Sequence, residues 1–178
     1  MTDRVTRSLV PDPADTDAWN AYLAEGNAKQ ARKRVSADVL LRDPSGRVLL
    51  VNPTYKPGWE LPGGMAEANE PPEEAVRREL MEELGIRVTL LGLLVVDWVA
   101  PHGPWDDQLA FVFDGGTLDE DQAHRLRPRD DELSEAAFVT TAEATDRLRD
   151  RIRRRFEHAL KGLDAGRSLY LHDGAPLM

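Results

Sequence analysis

The chain has 178 residues, 41% of them hydrophobic, which suits one globular domain with room for one or two additional elements. It contains no cysteine, which excludes disulfides, thiolate metal sites and a cysteine nucleophile. The formal net charge of −9 argues against general nucleic-acid binding, so a nucleic-acid partner is not expected. The longest apolar stretch, residues 88–100, is too short to span a bilayer, and the N-terminus lacks an apolar signal core. We therefore expect a soluble cytoplasmic protein without a membrane partner.

A helix is predicted ahead of the main body of the chain. Asp15 is well placed to cap a helix that runs to about Arg32, because an aspartate side chain accepts hydrogen bonds from first-turn amides. The apolar side of this helix consists of Trp19, Tyr22 and Leu23. We therefore divide the chain into an N-terminal extension, residues 1–33, and a domain, residues 34–178.

Strand and helix patterns then alternate along the rest of the chain. Strands are predicted at residues 35–42, 48–51, 87–99, 108–113, 136–140 and 168–171. One helix is predicted from Pro72, since proline suits the first helical turn, to Gly85, and a second from Thr141 to Leu163. Strands with helices before, within and after them indicate an α+β fold or a mixed-sheet α/β sandwich.

The helix predicted after Pro72 carries three closely spaced carboxylates. At about 3.6 residues per turn, Glu79, Glu82 and Glu83 share one helix face. Like charges at that spacing repel each other, and a bound divalent cation would remove the penalty. Oxygen ligands favour Mg²⁺ or Mn²⁺ over zinc or copper. A glycine pair, residues 63–64, stands just before this helix, where the backbone could approach a ligand closely.

Residues 64–86, called the box below, resemble the Nudix hydrolase signature. That signature has a glycine, five residues, a glutamate, seven residues, and then Arg-Glu-apolar-x-Glu-Glu-x-Gly-apolar. The matching positions are Gly64, Glu70, Arg78, Glu79, Leu80, Glu82, Glu83, Gly85 and Ile86. Asn69 stands where many members carry glycine, and asparagine tolerates left-handed backbone angles better than most residues. The resemblance implies a Nudix-type α/β/α sandwich with a mixed sheet, to which the N-terminal helix is an addition.

The resemblance also implies a role for several of these residues. Mg²⁺ or Mn²⁺ would be held by the carboxylates of Glu79, Glu82 and Glu83, which are also the catalytic residues, and by the carbonyl of Gly63. Glu70 and Arg78 would pair and fix the loop against the helix. A further metal ligand or general base would come from a later loop, where Glu132 has the expected spacing before an aromatic strand position. Asp106 and Asp107 are alternatives to Glu132.

Aromatic residues near the box are candidates for stacking on a nucleotide base. Tyr55 and Trp59 flank the loop ahead of the glycine pair, and with Gly64 they are the predicted substrate-binding residues. Trp98 and Trp105 bracket the loop after the box. Trp59 and Trp98 fit the hydrophobic core equally well.

The leading hypothesis is a metal-dependent pyrophosphohydrolase. It would cleave the P–O–P bond of a nucleoside diphosphate linked to another group, of the ADP-ribose or nucleotide-sugar type. Pro101, fifteen residues past Ile86, slightly favours ADP-ribose, because related members with that substrate carry a proline there. A nucleoside triphosphate pyrophosphatase and an enzyme acting on RNA ends are alternatives. A non-catalytic nucleotide sensor is a third, and the complete set of box glutamates counts against it.

A homodimer is the other predicted partnership. The apolar side of the N-terminal helix has no assigned partner in the domain, and it would be buried equally by a second copy or by the chain's own domain. Resemblance to members that dimerise favours the second copy.

Overall fold

A computed structural model describes residues 10–129 and 131–177. The chain divides into two units between Arg32 and Lys33, one residue before the predicted boundary. The first unit contains helix α1, Thr16–Ala28, and the first nine residues of the predicted extension lie outside the described residues. Asp15 caps α1 as predicted, because its side chain accepts a hydrogen bond from the amide of Ala18. The helix ends before Arg32, and none of its residues is buried.

The second unit contains the remaining strands and helices. In chain order these are β1 (Arg34–Arg42), β2 (Val48–Pro53), β3 (Gly63–Met65), α2 (Pro72–Glu79), a π-helical turn (Leu80–Leu84), β4 (Gly92–Val99), β5 (Gln108–Thr117), α3 (Glu120–Arg125), β6 (Leu133–Val139), α4 (Thr141–Arg147), α5 (Asp150–Ala165), β7 (Leu169–His172) and β8 (Ala175–Pro176). We call α2 and the π turn together the box helix. Among the described residues, no helix is long and apolar enough to cross a membrane.

The strands form one mixed sheet, which confirms the predicted fold class. Its order is β6-β2-β1-β5-β4-β7-β8, and β3 pairs with the first half of β1. The pairs β1–β5 and β4–β7 are parallel, and the other pairs are antiparallel. The β1–β2 hairpin turns at Asp43, whose side chain accepts the amide protons of Ser45 and Arg47. This turn lies between the strands predicted at residues 35–42 and 48–51.

Two hydrophobic clusters cover opposite faces of the sheet. Alternate residues of β1 separate into them, so Leu40 packs with Phe156 of α5, whereas Val39 packs with Val76 and Leu80 of the box helix. This alternation follows from the two-residue period of a strand. The sheet therefore lies between α4 and α5 on one side and the box helix on the other, as an α/β/α sandwich.

Several elements differ from the sequence predictions, including the short strands β3 and β8, which are not predicted. The helix predicted at residues 141–163 breaks at Leu148, which adopts extended backbone angles and packs in the core between α4 and α5. The polar segment after β5 contains α3, whose start is fixed by a capping box between Asp119 and Gln122. Strand β4 begins at Gly92 rather than at residue 87, because its ladder with β5 starts there.

Candidate active site around the box helix

The box helix begins and ends where the sequence predicts. Pro72 occupies its first turn, and Gly85 ends it with a left-handed backbone at φ 67°. Its last turn is π-helical rather than α-helical, and this turn contains Glu82 and Glu83. Such turns occur often at functional sites. The sequence pattern does not predict this turn, because the spacing of the glutamates fits a regular α-helical period.

The π turn separates the environments of the three glutamates. Glu83 is buried, at 5% exposure, whereas the side chain of Glu82 is 56% exposed and that of Glu79 is 16% exposed. The three carboxylates, which the sequence places on one helix face, therefore differ in solvent exposure. One carboxylate is buried in the fold and one reaches solvent.

Arg78 lies at the centre of the glutamate cluster. Its guanidinium donates two hydrogen bonds to Glu70, at 2.9 and 3.0 Å, which confirms the predicted pair. It also donates to Glu79 Oε1 at 3.0 Å and to Glu82 Oε2 at 3.1 Å. A further bond, at 3.1 Å, reaches the carbonyl oxygen of Met65 in β3. One cation thus offsets the repulsion among the carboxylates and joins the box helix to β3.

The loop before the box helix is closed by its own hydrogen bonds. Asn69 takes a left-handed backbone at φ 63°, as expected for a residue in place of glycine. The Glu67 amide donates to Glu70 Oε2 at 2.8 Å, which orients that carboxylate toward Arg78. The pKa of Glu70 is lowered, chiefly by its hydrogen bonds with Arg78.

The glycine pair has no side chains, which lets β3 lie close to β1 and to Glu79 of the box helix. Gly63 has φ 138°, and a Cβ there would lie 2.1 Å from the carbonyl oxygen of Ala37 on β1. A Cβ on Gly64 would lie 2.5 Å from Glu79 Oε1. The Glu79 carboxylate therefore rests against the Gly64 backbone, and a side chain at either glycine would displace a neighbour.

Glu132 approaches the cluster from the loop before β6. Its carbonyl oxygen accepts the Thr54 amide at 2.8 Å, which ties this loop to the end of β2. Burial raises the pKa of Glu79, Arg78 opposes that rise, and the charges of Glu82 and Glu132 add to it. The Glu132 carboxylate is therefore close enough to Glu79 to repel it, in the region where the sequence predicts it.

The arrangement has the oxygen donors that a hard divalent cation prefers, but they are not gathered into a metal site. Within residues 10–129 and 131–177, no three histidine, aspartate or glutamate side chains are already grouped as the ligands of a metal ion would be. Arg78 engages Glu79 and Glu82 instead. Carboxylate and carbonyl oxygens fit Mg²⁺ or Mn²⁺ in their chemistry. The metal roles of Gly63, Glu79, Glu82 and Glu83 stay predictions.

The two predicted stacking residues lie in different surroundings. Tyr55 is 66% exposed, and the Lys56 ammonium lies 5.1 Å from its ring centroid. Trp59 packs against the core cluster on the α5 side of the sheet, and the Arg147 guanidinium lies 4.9 Å from its ring centroid. Tyr55 thus presents an open ring, whereas Trp59 is used in packing.

Asp106 and Asp107, the alternatives to Glu132, lie in surroundings that differ from each other. Asp107 accepts hydrogen bonds from Trp98 Nε1, at 2.9 Å, and from Lys33. These bonds lower its pKa. Asp106 is exposed in the same loop. Asp107 therefore anchors the base of this loop.

A buried charge network near β3 is absent from the sequence predictions. Arg155 of α5 bonds Asp97 at 3.2 Å and Asp38 at 3.4 Å, and Asp97 also accepts the amide of Gly174 at 3.0 Å. Asp38 pairs with Gly63 in the β1–β3 ladder, so the network adjoins the glycine pair. Burial raises the pKa of Asp38 to about 6 despite the opposing charge of Arg155.

The sequence contains a signal for this network that the predictions miss. Asp97 interrupts an apolar stretch and Asp38 interrupts an apolar strand, and a carboxylate in such a position needs a buried partner. The closely spaced arginines of α5, residues 151 and 153–155, favour a solvated helix face by composition. Arg155 is the exception, at 6% exposure.

Comparison with known proteins identifies relatives of the chain. A profile of the NUDIX domain family matches residues 32–160. A MutT-like protein of Streptomyces ambofaciens is 32% identical over 146 residues, which cover 80% of this chain and 84% of that protein. An 8-oxo-dGTP diphosphatase of Proteus vulgaris is 61% identical over 46 residues, which cover 26% of this chain and 39% of that protein.

Solved structures agree with these matches at the level of the fold. The structure of a UDP-X diphosphatase is similar with a TM-score of 0.65 and 20% identity, over 90% of this chain and 75% of that chain. Since the family profile and the Streptomyces relative each match most of this sequence, which also has the complete box, the chain belongs to the NUDIX domain family and is a Nudix hydrolase.

Proposed function

We propose that the chain is a Mg²⁺- or Mn²⁺-dependent pyrophosphohydrolase. Its substrate is a nucleoside diphosphate linked to a second group, of the ADP-ribose or nucleotide-sugar type. The observation that carries the proposal is the cluster of Glu79 and Glu82 around Arg78, with Glu79 lying against Gly64. Nudix hydrolases generally use divalent metal ions, and the oxygen donors here are of the kind that such ions prefer.

The chain's own residues prepare the site for the diphosphate. Glu79, Glu82, Glu83 and the Gly63 carbonyl would hold the metal, which supplies charge neutralisation at the phosphoryl oxygens and activates water. On metal binding, Arg78 would lose its bonds to Glu79 and Glu82 and keep its pair with Glu70, which would hold its guanidinium in place. Glu132, on a separate loop, is the general base, and its carboxylate oxygen takes a proton from the attacking water.

The proposal is tested by a substrate screen followed by product analysis. The full chain is incubated with nucleotide sugars, ADP-ribose, dinucleotides, nucleoside triphosphates and capped RNA in millimolar Mg²⁺ or Mn²⁺. Hydrolysis should yield a nucleoside monophosphate and a second phosphate ester, and it should vanish with a chelator. In oxygen-18 water, the label should enter one phosphate only. Undiminished activity in excess chelator, or label in a non-phosphate product, would refute the proposal.

Glu132→Gln tests the assignment of the base. Turnover should fall at least about tenfold with little change in the Michaelis constant, because the lost proton transfer belongs to the transition state. Asp107→Asn is the matched control, since the Asp107 carboxylate already accepts hydrogen bonds from Trp98 and Lys33. Normal turnover in Glu132→Gln would move the role of base to another residue.

A nucleoside triphosphate pyrophosphatase is the second candidate. The relatives from Streptomyces ambofaciens and Proteus vulgaris favour it, since their names are MutT-like protein and 8-oxo-dGTP diphosphatase. The second product separates the candidates. A triphosphate substrate releases inorganic pyrophosphate, whereas a linked diphosphate releases a phosphate ester of the second group.

A further inference from the structure

An exposed tryptophan backed by an arginine lies beside β3. Trp105 is 55% exposed, and the Arg34 guanidinium carbon lies 4.5 Å from its ring centroid. Arg34 Nη2 also lies 4.0 Å from the sulfur of Met65, whose side chain is 41% exposed. We call Arg34, Met65 and Trp105 together the Trp105 platform. Three segments distant in sequence thus bring an aromatic, a cationic and a polarizable side chain together in contact with solvent.

The loop that carries Trp105 is held in place. The backbone amide and carbonyl of Trp105 bond those of His102, both at 3.0 Å, and close a tight turn. The His102 ring bonds the carbonyl of Ala100 and the Arg151 guanidinium, both at 3.0 Å. The exposed indole is therefore preorganised, so a ligand would not have to order the loop in order to stack on it.

The platform adjoins the glutamate cluster through β3. Met65 is two residues beyond Gly63, or about 7 Å along a strand. The Met65 carbonyl accepts a hydrogen bond from Arg78, the residue that joins the box glutamates. In the part of the chain that the structure describes, β3 pairs with β1 alone. The side chains of Arg34 and Met65 lie on the α5 face of the sheet, because Met65 pairs with Ser36 and alternate residues of β1 face opposite sides. A ligand held at the box glutamates would therefore pass around the free edge of β3 to bring another part of itself onto the platform.

Hydrogen-bonding side chains lie next to the same surface. Gln108 donates its amide to the hydroxyl of Ser36. Ser36 pairs with Met65 in the β1–β3 ladder, and Gln108 pairs with Arg34 in the β1–β5 ladder. Ser36 is buried, at 8% exposure, so the Gln108 amide is the group of this pair that can bond a ligand. An amide beside an aromatic surface suits a planar heterocycle with polar edges, which stacks by its face and bonds by its edge.

We propose that the Trp105 platform is the subsite for the nucleobase of the substrate. The inference rests on the proposed function, in which the diphosphate lies at the box glutamates. Stacking on an indole suits any nucleobase because every base has a π face, and Arg34 covers one face of the indole, which leaves the other face for the ligand. A sugar ring offers C–H groups but no π face and gains less from stacking on the indole, which favours the base over the second group as the occupant.

Binding of reaction products tests this without any turnover. The full chain is titrated calorimetrically, in Mg²⁺, with AMP, GMP, UMP and CMP, and with ribose 5-phosphate as the ligand that lacks a base. The variants are Trp105→Ala, Trp105→Phe and Arg34→Met. Tyr170→Ala is the control, since Tyr170 is a 49% exposed aromatic on β7.

Trp105→Ala should weaken nucleoside monophosphate binding about tenfold or more, and Trp105→Phe should restore most of it. Arg34→Met should have a smaller effect, and ribose 5-phosphate should bind all variants equally. The inference is overturned if the wild type binds no nucleoside monophosphate more tightly than ribose 5-phosphate. It is also overturned if Trp105→Ala weakens the binding of nucleoside monophosphates and of ribose 5-phosphate by the same factor. If the screen finds no hydrolysis but base-dependent binding follows Trp105, the proposed activity fails while the subsite stands.

Discussion

Arg78 changes the interpretation of the box glutamates. From sequence alone, three neighbouring carboxylates appear as an uncompensated repulsion that only a metal would relieve. In the structure, the guanidinium between Glu70, Glu79 and Glu82 supplies part of that relief. Arg78 thereby lowers the electrostatic cost of these carboxylates when no metal is bound. Under the proposed function, metal binding would exchange the partners of the Glu79 and Glu82 carboxylates.

Glu82→Gln should separate catalysis from folding. We expect turnover to fall by at least about a hundredfold, because a metal-bound charge at the reacting phosphate is lost. Stability without metal should stay unchanged, since the side chain is 56% exposed and the amide oxygen can still accept from Arg78. Steady-state kinetics and urea unfolding in chelator measure the two effects.

Glu74→Gln is the matched control on the same helix. Glu74 pairs with Arg77 at 2.7 Å, and its side chain is 59% exposed. Its substitution should leave both turnover and stability as in the wild type. Near-normal turnover of Glu82→Gln would instead show that Glu82 does not hold a catalytic metal.

At the scale of elements, α5 is tied to the sheet by one buried arginine. Arg155 joins α5 to β1 through Asp38 and to β4 through Asp97. Asp97 has no exposed surface and is also bonded to the amide of Gly174. Each group in this network depends on the others, since a buried charge is costly without its partner.

Asp97→Ala should destabilise the protein by about 3–5 kcal/mol, because it leaves the buried Arg155 without its innermost partner. In the double variant Asp97→Ala/Arg155→Met, part of that loss should be recovered, since no unpaired charge remains. Urea unfolding at constant pH measures both. Arg153→Ala, which removes an exposed ion pair of α5 with Asp150, should cost less than about 1 kcal/mol. Equal losses for Asp97→Ala and Arg153→Ala would contradict the role of the network.

Asp38 should make stability depend on pH. Its pKa of about 6 in the folded chain exceeds the ordinary value of 3.8, because burial outweighs Arg155 and Lys56, and Glu60 adds repulsion. The folded state then holds the proton more tightly than the unfolded chain. The contribution of Asp38 to stability is therefore fully present below pH 3.8 and is lost as pH rises to about 6.

The comparison with Asp38→Asn isolates this effect from other titrating groups. Relative to the variant, the wild type should lose at most about 3 kcal/mol of unfolding free energy between pH 4 and pH 7. Urea unfolding of both proteins in chelator, at several pH values, measures the difference. A constant difference across that range would show that burial does not raise this pKa.

Local sequence signals predict the elements better than they predict their distortions. The capping Asp15, the hairpin turn at Asp43, and the start and stop of the box helix all follow from short-range rules. The π turn and the break at Leu148 do not, and Leu80, Leu84 and Leu148 all pack in hydrophobic clusters formed with distant residues. Such effects depend on tertiary contacts that a pattern within one segment does not contain.

At the scale of the whole molecule, the site combines a local motif with distant segments. The box contains its glutamates within 23 residues, so the resemblance predicts them as site residues, and the spacing before β6 predicts Glu132. These roles stay predictions. The sequence also names Trp105 as a stacking candidate, but its contact with Arg34 and the nearness of Met65 depend on the register of β1 with β3 and β5. The Arg155 network depends on the register across β1, β5 and β4. These registers are set by the complete sheet, and no spacing along the chain reveals them.

The N-terminal helix remains the basis for the predicted homodimer. Trp19 and Tyr22 lie against each other on α1, with ring centroids 5.7 Å apart, and Leu23 is 49% exposed. An aromatic pair and a leucine on a helix with no buried residue would gain from burial against a second copy. Light scattering of the full chain at micromolar concentration should give the mass of a dimer.

Removal of residues 1–32 should give a monomer, because the unit boundary falls after Arg32 and the sheet with its two cores lies beyond it. Trp19→Ser/Leu23→Ser should weaken the dimer in the same way without shortening the chain. Tyr170→Ser, which changes an exposed aromatic of β7, should leave the mass unchanged. A monomeric full chain would refute the dimer. A dimer that survives both the truncation and the double variant would place the interface on the Nudix domain, since the apolar side of α1 would then be unnecessary for association.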